Sequence, residues 1–292
     1  MAELFPGFTS HDLRTTGARI HLSMGGSGPP ILLLHGYPQT HVIWHRVAPA
    51  LAEHFTVVAT DLRGYGDSEK VASAPDHAPY AKRAMAQDQV EVMGELGFSS
   101  FHLVGHDRGG RVAHRLALDH PARVRSLCVL DIAPTRHMYE RTDFAFARAY
   151  YHWFFLIQPE PLPERLIGAD PGFFLRRKLG SGSAGIMPFS PEALAEYERC
   201  FGPETIRASC EDYRAAASID LLHDREDEAR RLAMPLLALW GKWGVVERCF
   251  DVLAAWRERA TKVSGRALDC GHYIAEEAPA VLLEELVAHL GG

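Results

Sequence analysis

The chain has 292 residues, of which 47% are hydrophobic and 23% charged, with a formal net charge of −6. That length holds one large α/β domain with an insertion, and the apolar fraction is ample for a core. The acidic balance argues against a nucleic-acid partner, and the longest apolar runs, such as Ile31 to Leu34, are far too short to cross a membrane.

The start, Met1-Ala2-Glu3-Leu4-Phe5-Pro6, lacks the basic and apolar regions of a secretory leader. Residues 9–25 read as a hairpin closing toward a Gly/Ser stretch, and Ile31 to Leu34 as a buried strand leading into His35-Gly36-Tyr37-Pro38. The following helix carries His41 and His45, four apart, a spacing that metal ligands can have, but no third ligand is evident, and both read as core or surface residues. Val57 to Ala59 is the following strand, and the loop Asp61 to Ser68 has the glycines and self-bonding Asp of a tight structural turn. Residues 80–97 predict a helix ending at Gly97. Phe101 to Val104 is an apolar strand, Val112 to Asp119 has helical spacing, and Arg125 to Leu130 is the next strand. The alternation breaks at Pro134. From there to about Arg231 the chain is aromatic-rich and mostly helical, with Gly180 to Ser183 as an internal loop. Pro235 to Leu239 returns to the sheet, Asp251 to Arg259 predicts a helix, and the last strand ends at Ala267-Leu268-Asp269, followed by Gly271, His272 and a helix from near Glu276. The organisation expected is therefore a core, 1–133 and 232–292, split by a helical cap, 134–231. Five cysteines, Cys128, Cys200, Cys210, Cys249 and Cys270, are odd in number and lack CxxC spacing, and read as reduced thiols of a cytoplasmic protein.

The most informative stretch is Gly105-His106-Asp107-Arg108-Gly109-Gly110-Arg111. A small residue two before and two after a central residue, at a strand-to-helix junction, is the nucleophile elbow, and the glycines spare a backbone clash in the sharp turn. Asp107 stands at the tip where such elbows usually hold Ser. A carboxylate attacking a carbonyl would give an anhydride. Attacking a saturated carbon that bears a leaving group, it gives a stable alkyl ester, which points to dehalogenation or epoxide opening. Arg108 and Arg111 lie in the first helical turn, where the macrodipole disfavours cations, so an anion is expected nearby. Two guanidinium forks suit a substrate carboxylate. The competing reading pairs them with structural acids such as Asp119 or Asp131.

Asp107-Arg108-Gly109-Gly110-Arg111 resembles the fluoroacetate dehalogenases of the α/β-hydrolase family. Haloalkane dehalogenases and soluble epoxide hydrolases usually have Trp where this chain has Arg108. The resemblance implies an α/β-hydrolase fold, with a mostly parallel, doubly wound sheet and a helical cap, and it implies a homodimer. It places the catalytic base at His272 and backbone anion-hole donors at Tyr37 and Arg108. Two acids compete to orient His272: Asp131, after the strand that follows the elbow helix, and Glu247, nearer the usual α/β-hydrolase position. Asp131 is preferred. In the cap, Tyr151-His152-Trp153 and Glu211-Asp212-Tyr213-Arg214 also resemble these dehalogenases, which implies a halide site at His152, Trp153 and Tyr213. Imidazole, indole and phenol are all hydrogen-bond donors, although an aromatic stripe is otherwise ordinary packing.

The expected activity is hydrolysis of short 2-haloacids, haloacetate above all, to 2-hydroxyacids. Arg108 and Arg111 hold the carboxylate, Asp107 displaces halide, and His272 with water releases the product. No cofactor or metal is called for. Two rivals stand beside it. An epoxide hydrolase would use the same Asp nucleophile with cap tyrosines as acids, and would leave the arginine pair unexplained. A non-catalytic binding protein on this fold need not keep Asp107 and His272 together.

Overall fold

The computed structural model describes residues 4–291, so Met1 to Glu3, where the leader reading begins, lie outside it. Eight strands form one sheet: β1 (Thr9–Arg14), β2 (Arg19–Gly25), β3 (Pro30–Leu34), β4 (Thr56–Thr60), β5 (Phe101–His106), β6 (Val124–Leu130), β7 (Leu236–Gly241) and β8 (Val263–Leu268). Their order across the sheet is β1-β2-β4-β3-β5-β6-β7-β8. The β1–β2 and β2–β4 pairs are antiparallel, and every other pair is parallel. Every residue of β3 and β7 is buried, as expected of parallel strands covered by helices on both faces. The edge strands β1 and β8 are largely solvent-facing and alternate in exposure, the pattern of strands with one wet side. No helix among the described residues is long and apolar enough to cross a membrane.

The chain leaves the sheet after Leu130 and rejoins it at Leu236. The excursion is built of short helices, from Thr135–Glu140 to Ile219–Glu226. The helix after β5 runs from Arg108 to Asp119, which puts Arg108 and Arg111 in its first turn as expected. Three local features depart from the sequence reading. The segment bearing His41 and His45 is a single 3-10 turn, His41–Trp44, in which the two rings go separate ways. His41 Nδ1 lies 2.8 Å from Asp61 Oδ1, while His45 Nδ1 donates to the Val42 carbonyl. Gly180 and Ser181 do not open a loop, because the helix Pro171–Ser181 runs through them. The buried Leu175 and Leu179, one turn apart, anchor that last turn and offset the cost of about 1 kcal/mol for a helical glycine. The C-terminal helical segment is two pieces, Ile274–Glu277 and Pro279–Leu290, since Ala278 precedes a proline and is driven out of helical geometry to φ −137°, ψ 50°.

Asp61 organises the loop after β4 as the sequence implies. One carboxylate oxygen accepts the His41 N–H and the other the Asp67 N–H, and the Ser68 hydroxyl donates to the Asp61 carbonyl. All five cysteines are free.

Candidate active site

Asp107 sits at the C-terminal end of β5, at the centre of the sheet, with φ +46° and ψ −113°. A non-glycine residue there is strained, and the surrounding turn must hold it. The glycine frame makes this possible. A Cβ on Gly109 would lie 2.3 Å from the His35 carbonyl oxygen, and one on Gly105 would lie 2.5 Å from the Gly109 carbonyl oxygen. Asp107 is buried, and its Oδ1 accepts the Tyr37 N–H at 2.9 Å. The other oxygen, Oδ2, has no hydrogen-bond partner among the described residues. Burial would raise the Asp107 pKa, but the imidazoles of His272 and His106 and the guanidiniums of Arg111 and Arg108 outweigh it and hold the carboxyl well below the usual range. The group is an anion at neutral pH.

His272 follows β8. Its Nδ1 is 2.5 Å from Asp131 Oδ2, an N–H donor on a carboxylate, which leaves Nε2 free. Asp131 also has a positive φ, +51°, and its Oδ1 accepts the Gly241 N–H at 2.9 Å. The rival acid, Glu247, is exposed and takes the indole N–H of Trp240 instead. His106 packs beside the base, with ring centroids 4.7 Å apart. Its Nε2 donates to the His272 carbonyl at 2.9 Å. Burial and the neighbouring His272 push the His106 pKa down to about 3, so its ring is neutral.

The two arginines differ. Arg108 is wholly buried and grips Asp212 of the cap with a fork, Nε to Oδ2 at 2.9 Å and Nη2 to Oδ1 at 2.7 Å, and Nη2 also reaches the Asp212 carbonyl. The same carboxylate pairs with Lys82 and accepts the Tyr65 hydroxyl at 2.6 Å. Arg108 therefore does have a structural acid, though neither Asp119 nor Asp131, and only its Nη1 has no partner. Arg111 has no carboxylate partner among the described residues. It donates from Nη1 to the Ala133 carbonyl and Thr135 Oγ1, and from Nη2 to the Met138 sulfur, and its Nε is unpartnered. Burial lowers its pKa and the Asp107 charge opposes that fall.

Cap aromatics close the chamber. The Arg108 guanidinium lies 4.1 Å from the Tyr213 ring centroid and that of Arg111 lies 4.6 Å from the Trp153 ring. His152 is 5.8 Å from Tyr213 and 6.3 Å from Tyr37, ring to ring, and Tyr150 bridges His152 to His272. Trp153 Nε1 and the Tyr213 hydroxyl are buried donors without a partner among the described residues. Burial, then the charge of Lys178, drives the His152 pKa well below its ordinary value, so this imidazole is neutral. The residues expected to form one site are thus gathered at one place. Asp212, Lys82, Tyr65 and Lys178 were not expected there. Asp212 had a signal, since it adjoins Tyr213 in a stretch already singled out, but a buried lysine on the helix Lys82–Glu95 had none.

A cavity of about 290 Å³ opens onto His272, lined by Tyr150, Lys178, Gly182, Trp243 and Arg248 among others. A larger depression of about 690 Å³, beside Ser73, His77, Glu211 and Arg214, touches neither His272 nor any elbow residue.

Fold, elbow and base define a class, and comparison with known proteins agrees. A family model described as the alpha/beta hydrolase fold matches residues 29–279. The chain belongs to the α/β-hydrolase family. It is 48% identical over 278 residues to a fluoroacetate dehalogenase of Burkholderia sp., covering 94% of this chain and 91% of the relative. It is 37% identical over 284 residues to a soluble epoxide hydrolase of Corynebacterium sp. (strain C12), covering 94% and 95%. Among solved structures, a protein of Nostoc sp. PCC 7120 assigned to the alpha/beta hydrolases superposes with a TM-score of 0.96 at 60% identity, covering 97% of this chain and 98% of that one.

Proposed function

We propose that this protein hydrolyses short 2-haloacids, haloacetate and fluoroacetate above all, to 2-hydroxyacids through an ester on Asp107. One observation carries the reading: Arg111, a buried guanidinium with no carboxylate partner among the described residues, shares a chamber with the Asp107 anion and the unpartnered donors of Trp153 and Tyr213. A carboxylate on the substrate supplies the missing counter-charge, and a departing halide takes the free donors. The 48% identity to a fluoroacetate dehalogenase supports the same reading.

The substrate carboxylate rests on Arg111 and the free Nη1 of Arg108. Asp107 Oδ2 attacks the α-carbon; the C–O bond forms as the carbon–halogen bond breaks, and the electron pair leaves with the halide toward His152, Trp153 and Tyr213. His272 Nε2 then takes a proton from water. The hydroxide adds to the Asp107 carbonyl carbon, and the oxyanion on Oδ1 is held by the Tyr37 N–H, already 2.9 Å from that oxygen, and the Arg108 N–H. Collapse expels the 2-hydroxyacid, whose oxygen takes the proton back from His272. Asp131 fixes the tautomer and stabilises the imidazolium. We place the protein in a reducing compartment, the cytoplasm, on the strength of its free thiols. We also infer a homodimer through the apolar cap residues Leu162, Leu166 and Phe173, which are 49%, 60% and 67% exposed.

The test is mass spectrometry of His272→Asn after incubation with chloroacetate. It should carry a covalent adduct on the peptide containing Asp107, while the parent releases halide and glycolate. An unmodified peptide from a variant that still turns over would refute the ester route. Diol formation from a simple epoxide without halide release from haloacetates would favour the epoxide-hydrolase alternative.

A further inference from the structure

Lys178 stands in the wall of the cavity over His272, on the helix Pro171–Ser181, and is only 8% exposed. Among the described residues no carboxylate pairs with it, and its Nζ lies 5.6 Å from the centroid of the Tyr150 ring. A buried ammonium without a counter-ion is costly, and such groups are normally paired or discharged. Farther out, Arg248 lines the same cavity, is exposed, and likewise has no acidic partner among the described residues. The two cations therefore line one cavity, whose wall also holds Tyr150 and His272, the base beside Asp107. Neither belongs to the carboxylate clamp or the halide corner.

We propose that Lys178, with Arg248 at the rim, forms an anion-capture site in the cavity mouth that takes the carboxylate of an incoming acid before it reaches Arg111 and Arg108. This rests on the haloacid reading of the same chamber. A cleft with low-dielectric walls focuses the field of charges set along it and raises capture of an oppositely charged ligand by about 10- to 1,000-fold. The mouth needs such help, because the two carboxylates just beneath it, Asp107 and Asp131, repel an anion. Those same two charges hold the Lys178 ammonium up against burial, which brings its pKa down to about 8. The other titratable groups facing it are Tyr150, whose phenol burial keeps neutral, the neutral His152, and His272. Capture is therefore strongest below about pH 8 and fades as Lys178 loses its proton above it.

The experiment compares Lys178→Met, Lys178→Arg and Arg248→Gln with the parent, using chloroacetate at several ionic strengths and from pH 6 to 10. Lys178→Met should lose about tenfold in kcat/KM at low salt, with the larger share in KM, and should lose the alkaline fall near pH 8. Lys178→Arg should keep the capture and shift the fall beyond pH 9. Arg248→Gln should lose less and mainly at low salt. A merely structural lysine would leave the alkaline limb in place in both Lys178 variants, and that result overturns the proposal. A second readout does not need turnover: the ¹³Cε signal of Lys178, assigned by its absence in Lys178→Arg, is titrated with and without glycolate. Its pKa should rise when glycolate binds, and an unmoved titration also overturns the capture site. Parent enzyme that releases no halide from haloacetates would count against the haloacid reading, while the glycolate titration still decides Lys178.

Discussion

If His152, Trp153 and Tyr213 receive the halide as proposed, fluoride and chloride should respond differently when Trp153 becomes Phe. Trp153 is wholly buried, tilted on Tyr139 at 4.8 Å and edge-on to Phe146 at 5.4 Å, with the Arg111 guanidinium over its ring. Phenylalanine keeps an aromatic filler in this cluster and removes only the indole N–H and one ring. In the free protein that N–H is an unpartnered buried donor, which costs about 1–3 kcal/mol, so its removal offsets much of the small cavity left behind. Global stability should therefore move little. In the displacement step the same N–H meets a developing anion, and a hydrogen bond to a charged group contributes about 1.5–3 kcal/mol, or roughly 10- to 100-fold in rate. Fluoride holds its charge tightly and leaves poorly, so it needs that bond. Chloride spreads its charge and needs it less. The single-turnover rate with fluoroacetate should fall within that range and that with chloroacetate clearly less, while KM changes little because the arginines still hold the carboxylate. Single-turnover measurement matters because slow product release would mask the loss. Equal losses for the two substrates would make Trp153 packing and refute the halide role.

Arg111→Leu should abolish most activity on haloacids, a loss of about 1.5–3 kcal/mol or more in substrate binding, with little change in melting temperature, since it breaks no ion pair. Arg108→Leu should cost both activity and stability, because it leaves Asp212 buried beside Lys82 alone; kinetics and thermal unfolding of the two variants separate the roles. Asp212→Asn should destabilise by about 3–5 kcal/mol through the unpaired charges of Arg108 and Lys82, which denaturant titration would measure. Glu276 is buried, and burial raises its pKa from the ordinary 4.5 to about 7. The folded state then holds a proton that the unfolded state has released, so stability is full below about pH 4.5 and falls by about 3 kcal/mol as pH rises through 7. Glu276→Gln should raise the melting temperature at pH 8 and leave it nearly unchanged at pH 4.5; a gain equal at both values would refute the assignment.

What could be read from the chain was what depends on short spacings. The elbow shows in sequence because Gly105 and Gly109 each face backbone within 2.5 Å of where a Cβ would stand, which no other residue tolerates. The parallel strands show because burial on both faces demands an unbroken apolar run. Long-range pairing was hidden. Nothing local told that Arg108 would spend its fork on Asp212, 104 residues away, and leave Arg111 as the cation without an acid. Asp131 and Glu247 each follow a strand, and residue type could not rank them. The left-handed turn at Asp131 aims its carboxylate at His272, while Glu247 lies on an exposed helix beside Trp240. The glycines at Gly180 and Gly182 signalled a loop, but the apolar pair Leu175 and Leu179 carried the helix further.

The charges in the chamber also account for its choice of donors. On the proposed reaction, displacement creates no net charge; it moves one negative charge from Asp107 to the halide. The acceptor corner must therefore be as favourable to an anion as the elbow, but only once the anion has formed. A cation donating directly to the halide would hold chloride from solution, or the product halide, and block the next turnover. The corner instead presents an indole, a phenol and an imidazole that burial and Lys178 keep neutral. Neutral donors bind a developing halide strongly in a dry site and a hydrated one weakly outside it, so the halide is stabilised in the transition state and still released. On this reading the nearby cations have other tasks: Arg111 and the free edge of Arg108, stacked on the Trp153 and Tyr213 rings, take the carboxylate, and Lys178 stands at the mouth. Arg108 is held by Asp212 and Arg111 by Ala133, Thr135 and Met138 just after β6, so on the proposed reaction the carboxylate clamp depends on contacts between the elbow helix and the helical excursion that separates β6 from β7.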